Sequence, residues 1–334
     1  MALAQRAQIL AVEPPAHTPV LLDEVLDHLS PRDGGVYVDG TFGRGGHATA
    51  LLDRIGPTGR LIAADRDPAA IASGAELAAG SGGRLTLAHG RFGDLPAVLA
   101  GLGVARVDGI LLDLGVSSPQ LDEATRGFSF ARPGPIDMRM DPTCGPTALE
   151  LIGELTAPEL ATVLRDLGEE RLHQRIARRL KDAERGGELT TTVDLARVVA
   201  SCFSAGDLRR LHINPATRTF QALRIAVNRE LDELTAFLDS FPDLLAAGGR
   251  CVVIAFHSLE DRLVKRRFRD LAWTSSLPPA LARQAGERVL AVCTPVTRKA
   301  VFADDDETDD NPRARSARLR ACQRTDAPNL PAHR

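Results

Sequence analysis

The sequence is poor in aromatic residues, 4% of 334, with one Trp and one Tyr. That argues against an aromatic stacking platform for single-stranded nucleic acid. Its five cysteines (Cys144, Cys202, Cys251, Cys293, Cys322) form no CxxC pair. Such scatter fits neither a disulfide framework nor a zinc site and suggests a reducing cytosol. Excess positive charge is lacking as well: 41 Lys and Arg stand against 44 Asp and Glu, a net charge of −3. Any surface for a polyanion must therefore be local. No apolar run is long enough to span a bilayer. Met1 to Pro15 lacks the basic-then-apolar order of a secretory signal. The expectation is a cytoplasmic chain with no membrane contact, no bound metal, and a loose extension over residues 1–15.

What is present is ordinary for a globular protein, 44% hydrophobic and 25% charged. The chain is organised around Val36 to His47 (VYVDGTFGRGGH). A β-branched and aromatic run meets four glycines, then an Ala- and Leu-rich stretch. That order predicts strand, tight turn and helix. Glycines let backbone approach a ligand closely, and the new helix points free N–H groups above the turn. Further strands are expected at Arg60–Ala64, Arg84–Ala88, Val107–Leu114 and Arg250–Phe256. Helices are expected at Val20–Leu29, Ala69–Ala79 and Leu95–Leu102. The alternation predicts an α/β fold with a parallel sheet covered on both faces.

After Gln120 the rhythm breaks. Arg126–Pro146 is irregular, and helical patterns follow at Leu149–Leu155, Ala157–Leu167 (Thr156 as cap), Arg171–Ala183 and Val193–Phe203. Thr219–Leu245 reads as one long helical stretch with a break near Pro242. Asp261–Asp270 is a further helix. Leu290–Thr297 and Ser316–Gln323 are expected as a closing strand pair, with the acidic run Asp304–Asp310 as a solvated loop. The economical arrangement is a discontinuous α/β domain, residues 16–123 and 218–334, with an all-helical domain inserted over 124–217.

Asp65 closes the second strand, nineteen residues beyond Gly46. In nucleotide-binding α/β folds an acid at about this distance bonds ribose hydroxyls. The glycine spacing is not the G-x-G-x-x-G of dinucleotide sites. Asp39 would be awkward beside a pyrophosphate but suits a sulfonium-bearing ligand, S-adenosylmethionine. Asp113 would lie on the same carboxyl edge. Phe92 either faces an adenine ring or packs in the core.

The fourth strand ends in Asp113 to Gln120 (DLGVSSPQ). Ser118-Pro119-Gln120 resembles the Asp/Ser-Pro-Pro-aromatic motif of methyltransferases acting on exocyclic amino groups, without its second Pro and aromatic. Asp39–His47, Asp113–Gln120 with Arg126–Phe130, Asn214–Gln221, Phe256–Arg262 and Asn311–Ser316 together resemble the bacterial 16S rRNA cytosine-N4-methyltransferase family of MraW type, from about His17 to Arg324. The resemblance implies a Rossmann-like class I methyltransferase sheet with the helical insertion recognising RNA. It implies S-adenosylmethionine contacts at Gly45, Gly46, His47, Asp65, Phe92, Asp113 and Gln120. The implied substrate is one cytidine in the decoding region of 16S rRNA, presented by the small ribosomal subunit. The catalytic candidates are Asp113, Ser117, Ser118 and Pro119: acceptors near Ser117 and Ser118 would hold the amino hydrogens for in-line transfer, which positioning dominates. The target base must be unstacked to react.

Other residues remain open between two roles. His257 either lines the target pocket or caps the next helix. Asp137, Arg139 and Asp141 form either a substrate-facing loop or a salt-bridge network. Arg218 and Arg224 are candidates for phosphate contact. Three basic clusters, around Arg171–Lys181, Lys265–Arg269 and Arg313–Arg320, are either RNA-facing or solvated helix faces. A non-catalytic RNA-binding factor and a dinucleotide oxidoreductase are the competing readings; the intact Asp65 and Ser118-Pro119 disfavour the first and the glycine spacing the second.

Overall fold

Runs of apolar residues that close on Asp or Gly become the strands of one sheet. A computed structural model describes residues 19–211, 213–272, 281, 284, 285 and 291–328. The 1–15 extension, His17, Thr18 and Leu290 lie outside the described residues. The strands are β1 (Val36–Asp39), β2 (Arg60–Asp65), β3 (Leu85–His89), β4 (Val107–Asp113), β5 (Leu245–Ala255), β6 (Cys293–Pro295) and β7 (Arg318–Arg324). Their order is β3-β2-β1-β4-β5-β7-β6. β1 to β5 run parallel, β7 is antiparallel to β5, and β6 is antiparallel to β7. The chain winds outward from β1 in one direction and from β4 in the other. Such a reversal leaves a crevice at the carboxyl ends of β1 and β4, where doubly wound sheets bind ligands.

In the first half, α1 (Leu22–Leu29) and α2 (Gly46–Arg54) bury Val25, Leu29, Leu51 and Ile55 against one sheet face. α3 (Pro68–Ser73) and α4 (Ala75–Gly80) replace the single helix expected over Ala69–Ala79. They divide at Gly74, whose absent Cβ would lie 2.6 Å from the Phe42 ring. α5 (Leu95–Gly101) covers the other face, and α6 (Ser118–Asp122) is a short turn after β4.

The helical layer comprises α7 (Ala148–Glu154), α8 (Ala157–Gly168), α9 (His173–Arg185), α10 (Thr192–Ala200), α11 (Ala205–Arg210) and α12 (Thr217–Asn228). Thr-x-x-Glu and Thr-x-x-Asp boxes start three of them; Thr156 accepts the Glu159 N–H, as the sequence predicts. Leu160, Leu164, Ile176, Leu180, Leu195 and Val199 fill its core. That core does not end at residue 217. Phe220, Ala222 and Leu223 of α12 belong to it.

α13 (Glu230–Leu244) and α14 (Ser258–Leu271) return to the sheet, where Phe237, Phe241 and Phe268 pack over β4 and β5. The break in the long helical stretch falls at Arg229, in the left-handed region at φ 51°, and not near Pro242. Pro242 is tolerated inside α13 because the carbonyl it cannot serve, that of Leu238, accepts from Arg267 Nε at 2.9 Å. The acidic run is also not a plain loop. It forms α15 (Asp305–Asp310), and Glu307 accepts the Leu21 N–H at 2.7 Å.

α8 and α12 approach through a glycine. A Cβ on Gly168 would stand 2.5 Å from the Arg218 carbonyl oxygen and 3.0 Å from Ala222 Cβ. Gly168→Val is therefore expected to destabilise the fold by about 1–3 kcal/mol, read as a lower urea midpoint at unchanged slope. An unshifted midpoint would mean the two helices separate freely.

Candidate active site

The turn after β1 is shaped by what cannot fit. A Cβ on Gly40 would lie 2.3 Å from Leu112, and one on Gly46 2.4 Å from the Pro19 ring. Gly45 caps α2 at φ 76°. The Gly40 N–H donates to Leu111 O, the Phe42 N–H to Ala64 O, and the Gly43 N–H to Asp65 Oδ2 at 2.8 Å. The turn is thus stitched to the ends of β4 and β2. Above it opens a cavity of about 300 Å³.

Two carboxyls, Asp65 and Asp113, line the cavity from the ends of β2 and β4, and Asp39 at the end of β1 is buried next to them without lining it. Burial pushes Asp39 up to about 7, with the Asp65 charge adding to the effect and the Thr41 N–H opposing it. Burial likewise raises Asp65, against hydrogen bonds from the Asp67 and Gly43 N–H groups. Asp113 is held well above the usual carboxylate range by burial, and then by the charges of Asp39 and Glu260. Among the described residues, Asp39 Oδ2 and Asp113 Oδ1 are buried with no hydrogen-bond partner. His47 faces this group. Its Nε2 lies 3.1 Å from Val20 O, which makes Nε2 the donor and leaves Nδ1 unprotonated, 3.7 Å from Asp113 Oδ2. Burial holds the imidazole down to about 4. A site that keeps two carboxyls short of partners is built to receive a cation.

The profile of the MraW methylase family matches residues 15–325. The chain belongs to the MraW methylase family. It is 50% identical over 305 residues to a ribosomal RNA small subunit methyltransferase H from Methylococcus capsulatus, covering 91% of this chain and 99% of that one. The protein of that name from Azorhizobium caulinodans is 49% identical over 322 residues (95% and 90% covered). That from Trichlorobacter lovleyi is 46% identical over 316 residues (92% and 98%). The sheet is the Rossmann-like α/β sheet that the resemblance implied.

The MraW-type motifs meet at the cavity only in part. Gly46, His47, Asp65, Phe92, Asp113, Ser117, Ser118 and Gln120 line it. Gly45 and Pro119 sit beside it without lining it. Phe92 presents its ring edge-on to Phe237 at 6.3 Å, serving core and cavity at once. Gln120 takes the Ser117 N–H on Oε1 and gives its Nε2 to Asp67 Oδ2 at 2.9 Å. The four residues suggested for substrate do not line the cavity. Asp137 and Arg139 bind each other at 2.7 Å, which lowers the Asp137 carboxyl despite partial burial. Arg218 is exposed and donates to Glu169 O. His257 is the N-cap of α14 and leans on Glu260 at 3.2 Å. Arg224 is no phosphate contact in this arrangement: it forks onto Glu230 at 2.8 and 2.9 Å.

Arg224, Glu230, Glu260 and Arg313 line the cavity, and sequence reasoning had assigned none of them to it. The only signal was indirect, since Arg313 and Glu260 lie inside resembling motifs. Glu230, His257 and Glu260 bring ligand-type atoms within 4.8 Å of one another. The Arg224 fork and the Phe256 N–H on Glu260 (2.9 Å) already compensate these carboxylates, so the cluster is an ion-pair network rather than a metal centre.

The floor makes stability depend on pH in two directions. Asp39 ionises at 3.8 when unfolded and at about 7 when folded, so the unfolded chain releases its proton first. Its contribution is fully present below roughly pH 4 and lost by about pH 7. His47, lowered from 6.5 to about 4, works the other way: stability is lost as pH falls through that window. Asp39→Asn is expected to raise the Tm of the ligand-free protein at pH 8 and to leave it unchanged at pH 4. Equal Tm shifts at both pH values would show that the Asp39 charge is not what is unfavourable.

Proposed function

We propose that this MraW-family chain transfers a methyl group from S-adenosylmethionine to the N4 amino group of a specific cytidine in 16S rRNA of the small ribosomal subunit. The observation that carries the reading is the carboxyl-crowded floor beneath the glycine turn. Among the described residues Asp39 Oδ2 and Asp113 Oδ1 are buried polar atoms without hydrogen-bond partners, and the missing Cβ atoms of Gly40 and Gly46 let the turn close onto Leu112 and Pro19 beside them. A ligand bearing an ammonium and a sulfonium fits that demand, whereas a pyrophosphate would be repelled by it. Asp65 would take ribose hydroxyls, Phe92 the adenine, and Gly45, Gly46, His47, Asp113 and Gln120 the remainder. S-adenosylmethionine supplies an electrophilic methyl group.

The chain's own task is to hold the acceptor. Cytosine N4 is a weak nucleophile because its lone pair is shared with the ring. Oxygen acceptors at Ser117 and Ser118 would fix the amino hydrogens, and Pro119 the turn that presents them, so orientation rather than a strong base is required.

RNA recognition is assigned to the helical layer. Arg171, Arg175, Arg178, Arg209 and Arg210 are exposed. Among the described residues they form no ion pair within 4.0 Å. The Asp207 carboxyl at the start of α11 is held low by Ser204 and, more weakly, by the charges of Arg210 and of Arg175 on α9. The rest of the first cluster is spent internally: Arg179 on Glu188 at 2.7 Å, and buried Lys181 on the carbonyls of Ile152 and Gly153.

Unmodified small subunits incubated with labelled S-adenosylmethionine should acquire label on cytosine N4; label on a base carbon or ribose would refute the chemistry. Asp113→Ala should keep its unfolding transition and lose turnover by about 100-fold or more. Near-normal turnover would show Asp113 to be dispensable. Replacing Arg175 and Arg178 together by Gln should reduce the salt slope of subunit binding by about 2. An unchanged slope would place the RNA on another face.

A further inference from the structure

We propose that Met140 closes the adenosine end of the cavity, its thioether packing on the adenine ring of S-adenosylmethionine together with Phe92. This rests on the reading above, in which Asp65 and Phe92 hold the adenosine. It gives the helical layer a part in binding the cofactor.

Among the described residues that line the cavity, Met140 alone comes from the stretch 124–217. It belongs to the core of the helical layer and is 6% exposed, so it borders the cavity with a small apolar surface. Both its backbone groups are held. The Met140 N–H donates to Asn228 Oδ1 at 2.8 Å, and its carbonyl accepts from Arg126 Nη2 at 2.8 Å. The other arm of Arg126 donates to Asp67 Oδ2 at 2.8 Å, two residues past Asp65. Asn228 O accepts from Arg66 Nη1 at 2.7 Å. Arg66 and Arg91 share Glu233 Oε1, at 3.0 and 3.4 Å, and Arg91 precedes Phe92. Two chains of contacts thus tie Met140 to the neighbours of Asp65 and Phe92. The end of β2 stands two strands from Asp113 on β4, roughly 10 Å across the sheet. Met140 therefore belongs to the ribose and adenine end of the cavity, away from the end where the methyl leaves.

The chemistry of the side chain fits that end. Adenine carries its donors and acceptors on its edge, and its two faces call for apolar contact. Phe92 offers a ring. Met140 offers an unbranched, polarisable thioether, which packs favourably against aromatic rings with the sulfur about 5 Å away. Neither side chain is charged, so neither competes with the carboxyls for the sulfonium and the ammonium. The loop is fixed before a ligand arrives: two residues earlier Met138 is held at φ 62°, its carbonyl accepting from Asn228 Nδ2 at 2.7 Å. A contact set in advance costs little ordering on binding.

The test uses the full chain, which has three methionines, Met1, Met138 and Met140. Carbon-13 labelling of their methyl groups gives one resonance each, and Met140→Leu assigns that of Met140. S-adenosylhomocysteine and 5′-methylthioadenosine should both move it through the ring current of the adenine. Methionine, which has no ring, should not. In calorimetry Met140→Ala should raise the Kd of S-adenosylhomocysteine by roughly 10-fold, and Met140→Leu, which nearly keeps the volume, by less than roughly 3-fold. Methylthioadenosine, measured by its displacement of S-adenosylhomocysteine, should lose the same factor. The resonance needs no cavity-forming variant, so it decides even where Met140→Ala lowers the unfolding midpoint. A Met140 resonance unmoved at saturating S-adenosylhomocysteine overturns the proposal. So does an Ala variant that weakens S-adenosylhomocysteine and spares methylthioadenosine, which would set Met140 against the amino-acid end. A parent chain that binds neither S-adenosylmethionine nor S-adenosylhomocysteine overturns the cofactor reading, and this inference with it. Label missing from cytosine N4 while binding persists overturns the acceptor alone, and the shifted resonance still supports Met140.

Discussion

Asp67 is 3% exposed, and three donors converge on it. Its Oδ1 caps α3 by accepting the Ala69 N–H, while Oδ2 accepts from Gln120 and from Arg126 at 2.8 Å. A carboxylate this deep is tolerable only when paired and fully hydrogen-bonded. Satisfying it joins three parts of the chain: the end of β2, the turn after β4, and the first loop of the helical layer. The other arm of Arg126 donates to the carbonyls of Arg139 and Met140. Asn228 then clamps the same loop through Met138 O and the Met140 N–H, and its own carbonyl accepts from Arg66, next to Asp65. The hydrogen bonds close into a ring beside the cavity. Met138 sits inside it, buried, in the left-handed region at φ 62°. A non-glycine residue holds that conformation only where its surroundings over-determine it, and the ring does so.

Asp39 and Asp113 show the opposite treatment of the same chemical group. They are the last residues of β1 and β4, where Asp67 lies two past the end of β2, yet among the described residues each keeps an oxygen without a hydrogen-bond partner. The fold meets the full hydrogen-bonding demand of Asp67 and withholds it from these two. The difference separates holding from receiving. A satisfied carboxylate fixes geometry; an unsatisfied one raises the free energy of the ligand-free state and lowers it again when a cation arrives. His47 contributes by staying neutral, since an imidazolium there would pair with Asp113 and remove the demand.

The strands and their acidic ends were legible because they are local. Val36–Asp39, Arg60–Asp65 and Val107–Asp113 each carry an apolar run that closes on Asp, and a parallel sheet then sets those ends side by side. Asp65 and Asp113 reach the cavity from these ends as their positions suggest, whereas Gln120 came only through the resemblance and Phe92 was open between cavity and core. Failures came where a distant partner decided. Pro242 reads as a break until Arg267 takes the stranded carbonyl. Arg229 reads as ordinary until Asn228 is seen bonded to a loop ninety residues earlier. Lys181 and Arg178 look alike in a basic cluster, but one points under α7 and the other outward. His257 and the Asp137–Arg139 pair each had two possible roles in the sequence, and in both the structure shows the local one, a helix cap and an ion pair.

The cavity carries its charges in layers. Acidic groups lie at the floor, on the strand ends; the cation placed beside Ser118 lies at the mouth, with the exposed arginines of α9 and α11 farther out on the helical layer. On the proposed reading this order keeps two ligands of opposite charge in their places. An RNA phosphate meets favourable potential outside and increasing repulsion as it approaches Asp113. A sulfonium meets the reverse. Only an uncharged base can pass from the basic mouth to the acidic floor without opposing either field, so the electrostatics favour entry of the nucleobase alone, with its backbone left at the rim. The short α6 stands at this boundary, with Ser118 facing the mouth through Arg313 and Gln120 facing the buried side through Asp67. A five-residue helix thus links the ring that fixes the layers to the place where the base must stop.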